Sequence, residues 1–97
     1  MVSSVNSVLV RRAVVWSGRV QGVGFRRAAR SVASRFTVRG VIRNEPDGTV
    51  RCELSGAGLE LDRFIEAIEA HMDQYVHDRY ESAPGILAMP AQGFAIV

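Results

Sequence analysis

Apolar side chains between Phe25 and Phe36 recur at Phe25, Ala28, Ala29, Val32, Ala33 and Phe36. That is the i, i+3, i+4, i+7, i+8, i+11 series of a one-sided helix. Arg26, Arg27, Arg30, Ser31, Ser34 and Arg35 fall on the opposite side. A second helical pattern runs from about Leu59 to Met72, with Leu61, Phe64, Ile65, Ile68 and Met72 on one face. Glu60 and Asp62 suit its first turn, where the helix dipole favours negative charge. Other stretches have strand character: the valine-rich "VLVRRAVVW" (8–16), "TVRGVIRN" (37–44), "TVRCEL" (49–54), "QYVHDRYE" (74–81) and a short final "FAIV" (94–97). "EPDG" between the second and third strands is a hairpin turn, since proline presets its own φ and glycine accepts positive φ. "SGAG" (55–58) reads as a loop before the second helix, and "SAPGILAMPAQG" (82–93) as a loop before the last strand.

The resulting order is β-α-β-β-α-β plus a short final strand. It predicts an α+β, ferredoxin-like split βαβ sandwich: an antiparallel sheet with two helices on one face. Residues 8–97 are expected to form one domain and residues 1–7 a flexible N-terminal tail. A chain of 97 residues buries enough surface to need no staple. The single cysteine, Cys52, cannot close an internal disulfide, so a reducing cytoplasm is the expected setting. Cys52 alternates with Val50 and Leu54, which marks it as a small core residue rather than a nucleophile. No apolar run approaches the roughly 20 residues that span a bilayer. All 12 basic residues are arginine, and the net charge is only +2. That balance does not make a nucleic-acid surface. His71 and His77 match no metal-ligand spacing.

Chemistry concentrates in "SGRVQGVGFRR" (17–27), where Gly18, Gly22 and Gly24 lie between the first strand and the first helix. Glycines there let successive N–H groups turn toward one point, beside a helix N-terminus that favours anions. Arg26 and Arg27 oppose the dipole, a cost that a bound anion would offset. A guanidinium also matches phosphate geometry. A Walker A loop is excluded because the chain has no lysine. A dinucleotide fingerprint is excluded because Arg27 stands where its third glycine is required.

"GRVQGVGFR" followed by "RGVIRNEPDGTV" resembles the acylphosphatase family, whose pattern is G-x-V-Q-G-V-x-F-R, then a helix, then G-x-V-x-N before an aspartate-glycine turn. Gly18, Val20, Gln21, Gly22, Val23, Phe25 and Arg26 match the first block. Gly40, Asn44, Asp47 and Gly48 match the second, with Ile42 in place of the usual valine. The similarity is strong over about residues 12–56. It implies hydrolysis of the carboxyl–phosphate anhydride bond of a small acyl phosphate, without metal or organic cofactor. It implies that Arg26 binds the phosphate and that Asn44 positions the attacking water. The backbone N–H groups of Arg19, Val20, Gln21, Gly22, Val23 and Gly24 would cradle the phosphoryl oxygens. A monomer acting on a small molecule, with no nucleic-acid or membrane partner, is the expectation. Gln21 is expected to shape the loop, and Arg27 and Arg30 to occupy the exposed helix face, from which Arg30 could steer anions. The chain departs from the pattern at Thr37, Val41 and Glu45, and in the segment "HMDQYVHDRY" (71–80). A carboxylate at Glu45 would repel an anionic substrate if it turned inward.

Two other readings compete. One is a non-catalytic anion-binding or regulatory module with the same cradle. The other is a nucleic-acid-binding sheet, disfavoured because "TVRCEL" has none of the aromatics that such a sheet presents.

Overall fold

The computed structural model describes residues 8–97, and the expected tail at 1–7 lies outside them. Strand β1 (Leu9–Gly18) buries Val14 and Trp16 on one face and Ala13 and Val15 on the other. A strand with both faces dry must be covered twice. Helices α1 (Phe25–Ala33) and α2 (Gly58–His71) cover one face. Their Phe25, Ala29, Val32, Leu61, Phe64, Ile65 and Ile68 join Val14, Trp16, Ile42, Val50, Cys52 and Leu54 in a single core. Cys52 is therefore a core residue, and burial pushes its thiol pKa up.

Strands β2 (Val38–Asn44), β3 (Val50–Ala57), β4 (Val76–Ser82) and β5 (Phe94–Ile96) complete a sheet of order β4-β1-β3-β2-β5. β1, β3, β2 and β4 pair antiparallel, as expected. β5 instead lies parallel to β2, with Gly40 opposite Phe94 and Ile42 opposite Ile96. The wholly antiparallel sheet is thus corrected to a mixed one.

The reason lies in the path from β4 to β5, which occupy opposite edges. β4 ends opposite Ala13, and Ala13 and Val41 both pair with Glu53. The connecting segment crosses the helix-free face at that level and then turns back, so β5 enters in the direction of β2. Glu53 holds this crossing strap. Its buried carboxylate accepts hydrogen bonds from the N–H groups of Gly85 (2.8 Å), Ile86 (3.1 Å) and Leu87 (3.1 Å), and from Arg51 Nε (2.9 Å). Arg51 also donates to Ser82 Oγ and to the Ala83 carbonyl. Burial pushes the Glu53 pKa up, but the Gly85 N–H, the Arg51 guanidinium and the other two N–H groups outweigh it and hold the pKa below its ordinary value.

Element boundaries differ from expectation in places. Ser55, Gly56 and Ala57 extend β3 by pairing with Arg11, Val10 and Leu9, so "SGAG" is strand and helix start rather than a loop. α1 stops at Ala33 and tightens into i→i−3 turns through Phe36. Phe36 still packs edge-on against Phe64, with ring centroids 6.3 Å apart. At Thr37 the backbone N–H donates to Glu60 Oε1 at 2.8 Å, which fastens the turn before β2 to the start of α2. Between α2 and β4 the chain closes a short turn, with the Tyr75 and Val76 N–H groups both donating to the Met72 carbonyl. No helix among the described residues is long and apolar enough to cross a membrane.

Candidate active site

The glycine-rich stretch leaves β1 at Gly18 and enters α1 at Phe25. Gly22 and Gly24 both adopt φ +79°, the left-handed region that an L side chain resists, and Gly24 is the N-cap of α1. Val20 to Gly24 have no protein acceptor for their N–H groups among the described residues. These donors and the helix N-terminus lie together between the end of β1 and the start of α1.

Gln21 places this loop. Its Nε2 donates to the carbonyls of Glu45 (2.8 Å) and Thr49 (2.9 Å), the two ends of the β2–β3 turn. Glu45 N–H returns a bond to the Thr49 carbonyl at 2.8 Å, closing the turn. One side chain therefore ties the loop to the hairpin and sets the last residue of β2, Asn44, against the start of α1.

Between them lies a cleft of about 450 Å³. Gly22, Gly24, Arg26 and Asn44 line it, with Val20, Phe25 and Ile96 as its apolar wall. Asn44 follows Ile42 on the helix-covered side of the sheet, so strand alternation alone aims it into the cleft. Its Oδ1 is buried and has no hydrogen-bond partner. A buried acceptor in that condition is costly and calls for a ligand or water to complete it. Phe25 is backed by Trp16, the centroids of the two rings lying 5.0 Å apart, and Trp16 Nε1 donates to Glu69 Oε2 at 2.8 Å.

The structure brings Arg26, Asn44, Val20, Gly22 and Gly24 to one cleft. Arg19 is a correction: its N–H donates to the Tyr75 carbonyl at 2.9 Å, so that donor is spent on the α2–β4 turn. Val23 packs against the core. Glu45 does not turn inward. By alternation it shares the far side of β2 with Arg43, whose Nε and Nη2 grip its carboxylate at 3.1 and 3.2 Å. Arg27 and Arg30 are exposed, as expected, and in addition line the cleft, as does Ile96. The spacing carried a signal for Arg30, which follows Arg26 by one helical turn. Nothing local marked Ile96, which arrives through the strap. His71 and His77 are exposed at either end of the α2–β4 turn. Among the described residues no three His, Cys, Asp or Glu side chains form a metal-holding group.

A family model for acylphosphatases matches residues 12–96. The acylphosphatase of Lacticaseibacillus paracasei is 36% identical over 78 residues, covering 79% of this chain and 84% of the relative. That of Nitratidesulfovibrio vulgaris is 61% identical over 58 residues, covering 60% of this chain and 58% of the relative. Other curated acylphosphatases are matched over 55 to 63% of their length. Among solved structures, the acylphosphatase of Bacillus subtilis superposes with a TM-score of 0.74 at 27% identity, covering 93% of this chain and 99% of that one.

Proposed function

The chain belongs to the acylphosphatase family, and from that premise we propose that it hydrolyses the carboxyl–phosphate anhydride of small acyl phosphates. The observation that carries this reading is the buried, unpartnered Oδ1 of Asn44, a residue that lines one cleft with Arg26 and the glycine loop. The Arg26 guanidinium and the N–H groups of Val20 to Gly24 would hold the phosphoryl oxygens as charge shifts among them in a loose transition state. Asn44 Oδ1 would accept a hydrogen bond from the attacking water and fix its line of approach to phosphorus.

The balance of the reaction is simple. Water oxygen bonds to phosphorus as the P–O bond to the acyl oxygen breaks, and the bond's electrons leave with the carboxylate. A carboxylate is a weak base, so the leaving group needs no general acid. Asn44 is uncharged and cannot take the water's proton as a strong base. The proton passes to a phosphate oxygen of the substrate.

Hydrolysis of benzoyl phosphate without added metal tests the reading. Turnover is expected in the wild type, and Arg26→Gln and Asn44→Ala should each remove most of it with the circular dichroism unchanged. Phosphate binding without turnover would replace the enzyme by an anion-binding module. Full activity in Asn44→Ala would refute the water-positioning role.

A further inference from the structure

The cleft carries more positive charge than one phosphoryl group requires. Arg26 and the loop donors already supply a guanidinium fork and a nest of N–H groups. Arg27 and Arg30 line the same cleft, and no acidic side chain does. Arg11, Arg12, Arg43, Arg51, Arg63 and Arg79 each lie within ion-pair distance of a carboxylate. Among the described residues, Arg26, Arg27 and Arg30 have no such partner, nor do Arg19, Arg35 and Arg39, but only the first three share one concavity. α1 has no acid in its first turn either. Like charges one turn apart repel, and cations at a helix start oppose its dipole. Three unpaired guanidiniums around one concavity therefore fit a ligand with more than one anionic group.

The geometry says where the second group sits. The phosphoryl site lies at the glycine loop, at the very start of α1. Arg30 stands one turn along the helix, about 6 Å from Arg26 by helical rise. Phe25 and Ile96 give the same cleft the apolar wall against which an acyl group would lie, and Arg30 lines that cleft too.

We propose that Arg27 and Arg30 form a second anion subsite that selects acyl phosphates whose acyl group bears its own carboxylate or phosphate. This rests on the reading of the cleft as an acyl-phosphate site. Both are specificity-determining residues and hold no reacting atom. Their guanidiniums stay in contact with solvent, so the selection weakens as salt rises.

The test compares 3-carboxybenzoyl phosphate with benzoyl phosphate, whose reacting ends are alike. At low salt the wild type is expected to favour the carboxylated substrate by about tenfold in kcat/KM, the effect of one charge-assisted contact. Arg27→Ala/Arg30→Ala should bring that ratio to within about twofold, as should high salt. Equal rates in the wild type would overturn the subsite and leave the hydrolase standing. A preference that survives the double substitution would overturn the assignment to these residues. If neither compound is hydrolysed, the hydrolase reading fails, and calorimetry decides the subsite alone. There, 5-phosphonopentanoate should bind about tenfold more tightly than pentylphosphonate and lose that advantage in the double variant. Equal affinities would overturn it.

Discussion

Gln21 on the glycine loop and Glu45 on the β2–β3 turn are joined by a hydrogen bond of 2.8 Å from side-chain amide to backbone carbonyl. The same amide nitrogen donates to the Thr49 carbonyl at 2.9 Å. The contact makes the distance between Arg26 and Asn44 a property of the fold, because the loop carrying one is fastened to the hairpin carrying the other.

Gln21→Ala removes both bonds. Each contributes about 0.5–1.5 kcal/mol net, so urea unfolding should show a loss of about 1–3 kcal/mol. Looser alignment of nest and water site should also lower kcat/KM for benzoyl phosphate by about tenfold or more. Gln21→Glu should be no better, since a carboxylate cannot donate to either carbonyl. Wild-type kinetics in both variants would show that the tie is dispensable.

Asn44→Ala should separate stability from activity. The wild-type Oδ1 has no partner within the protein, so removing it breaks no intramolecular hydrogen bond and costs only some side-chain packing. Thermal unfolding is expected close to the wild-type temperature, while kcat falls by about a hundredfold or more. A variant both inactive and markedly unstable would mean that Asn44 serves the fold.

Much of this site was legible before any coordinates. The helical period of Phe25 to Ala33 and the Asp47-Gly48 turn come from local backbone physics, so their placement needed no tertiary information. Arg26 and Asn44 were brought together only by the resemblance of the two motif blocks to the acylphosphatase pattern, since nothing in the local periodicity links them. Ser55 to Ala57 misled because serine, glycine and alanine have weak strand preference, and here pairing with β1 overrides it. β5 was legible as a strand but its direction was not. That direction depends on Glu53 catching backbone N–H groups more than thirty positions away, which no local pattern encodes. Ile96 could not be assigned to the cleft for the same reason.

The Glu53 strap makes a pH prediction. The folded carboxyl titrates below its ordinary value, so the folded state binds its proton less readily than the unfolded chain. The stabilisation is fully present above the unfolded value of about 4.3 and is lost as pH falls through the lower, folded one. Urea midpoints should therefore fall steeply below about pH 4 in the wild type and less steeply in Glu53→Gln. At neutral pH, Glu53→Gln leaves the buried Arg51 without its counter-charge and should cost about 2–4 kcal/mol. Because the strap delivers β5 and with it Ile96, KM should rise in this variant even at temperatures where it stays folded. Identical acid limbs in the two proteins would refute the assignment.

Arg43 is expected to protect the site from its own hairpin. Glu45 follows Asn44 directly, and on the far side of β2 Arg43 neutralises its carboxylate, with Nη2 3.0 Å from Oε2. Arg43→Ala leaves that negative charge uncompensated one residue from Asn44, where its field repels an anionic substrate. The expected result is a rise in KM of about threefold at low salt with kcat little changed, fading at high ionic strength. Arg43→Ala/Glu45→Gln removes the uncompensated charge and should return KM to the wild-type value, while Glu45→Gln alone should not raise it. The cycle discriminates because a purely structural role for Arg43 predicts that the second substitution rescues nothing. Failure of that rescue would show that Arg43 acts through the shape of β2 rather than by neutralising Glu45.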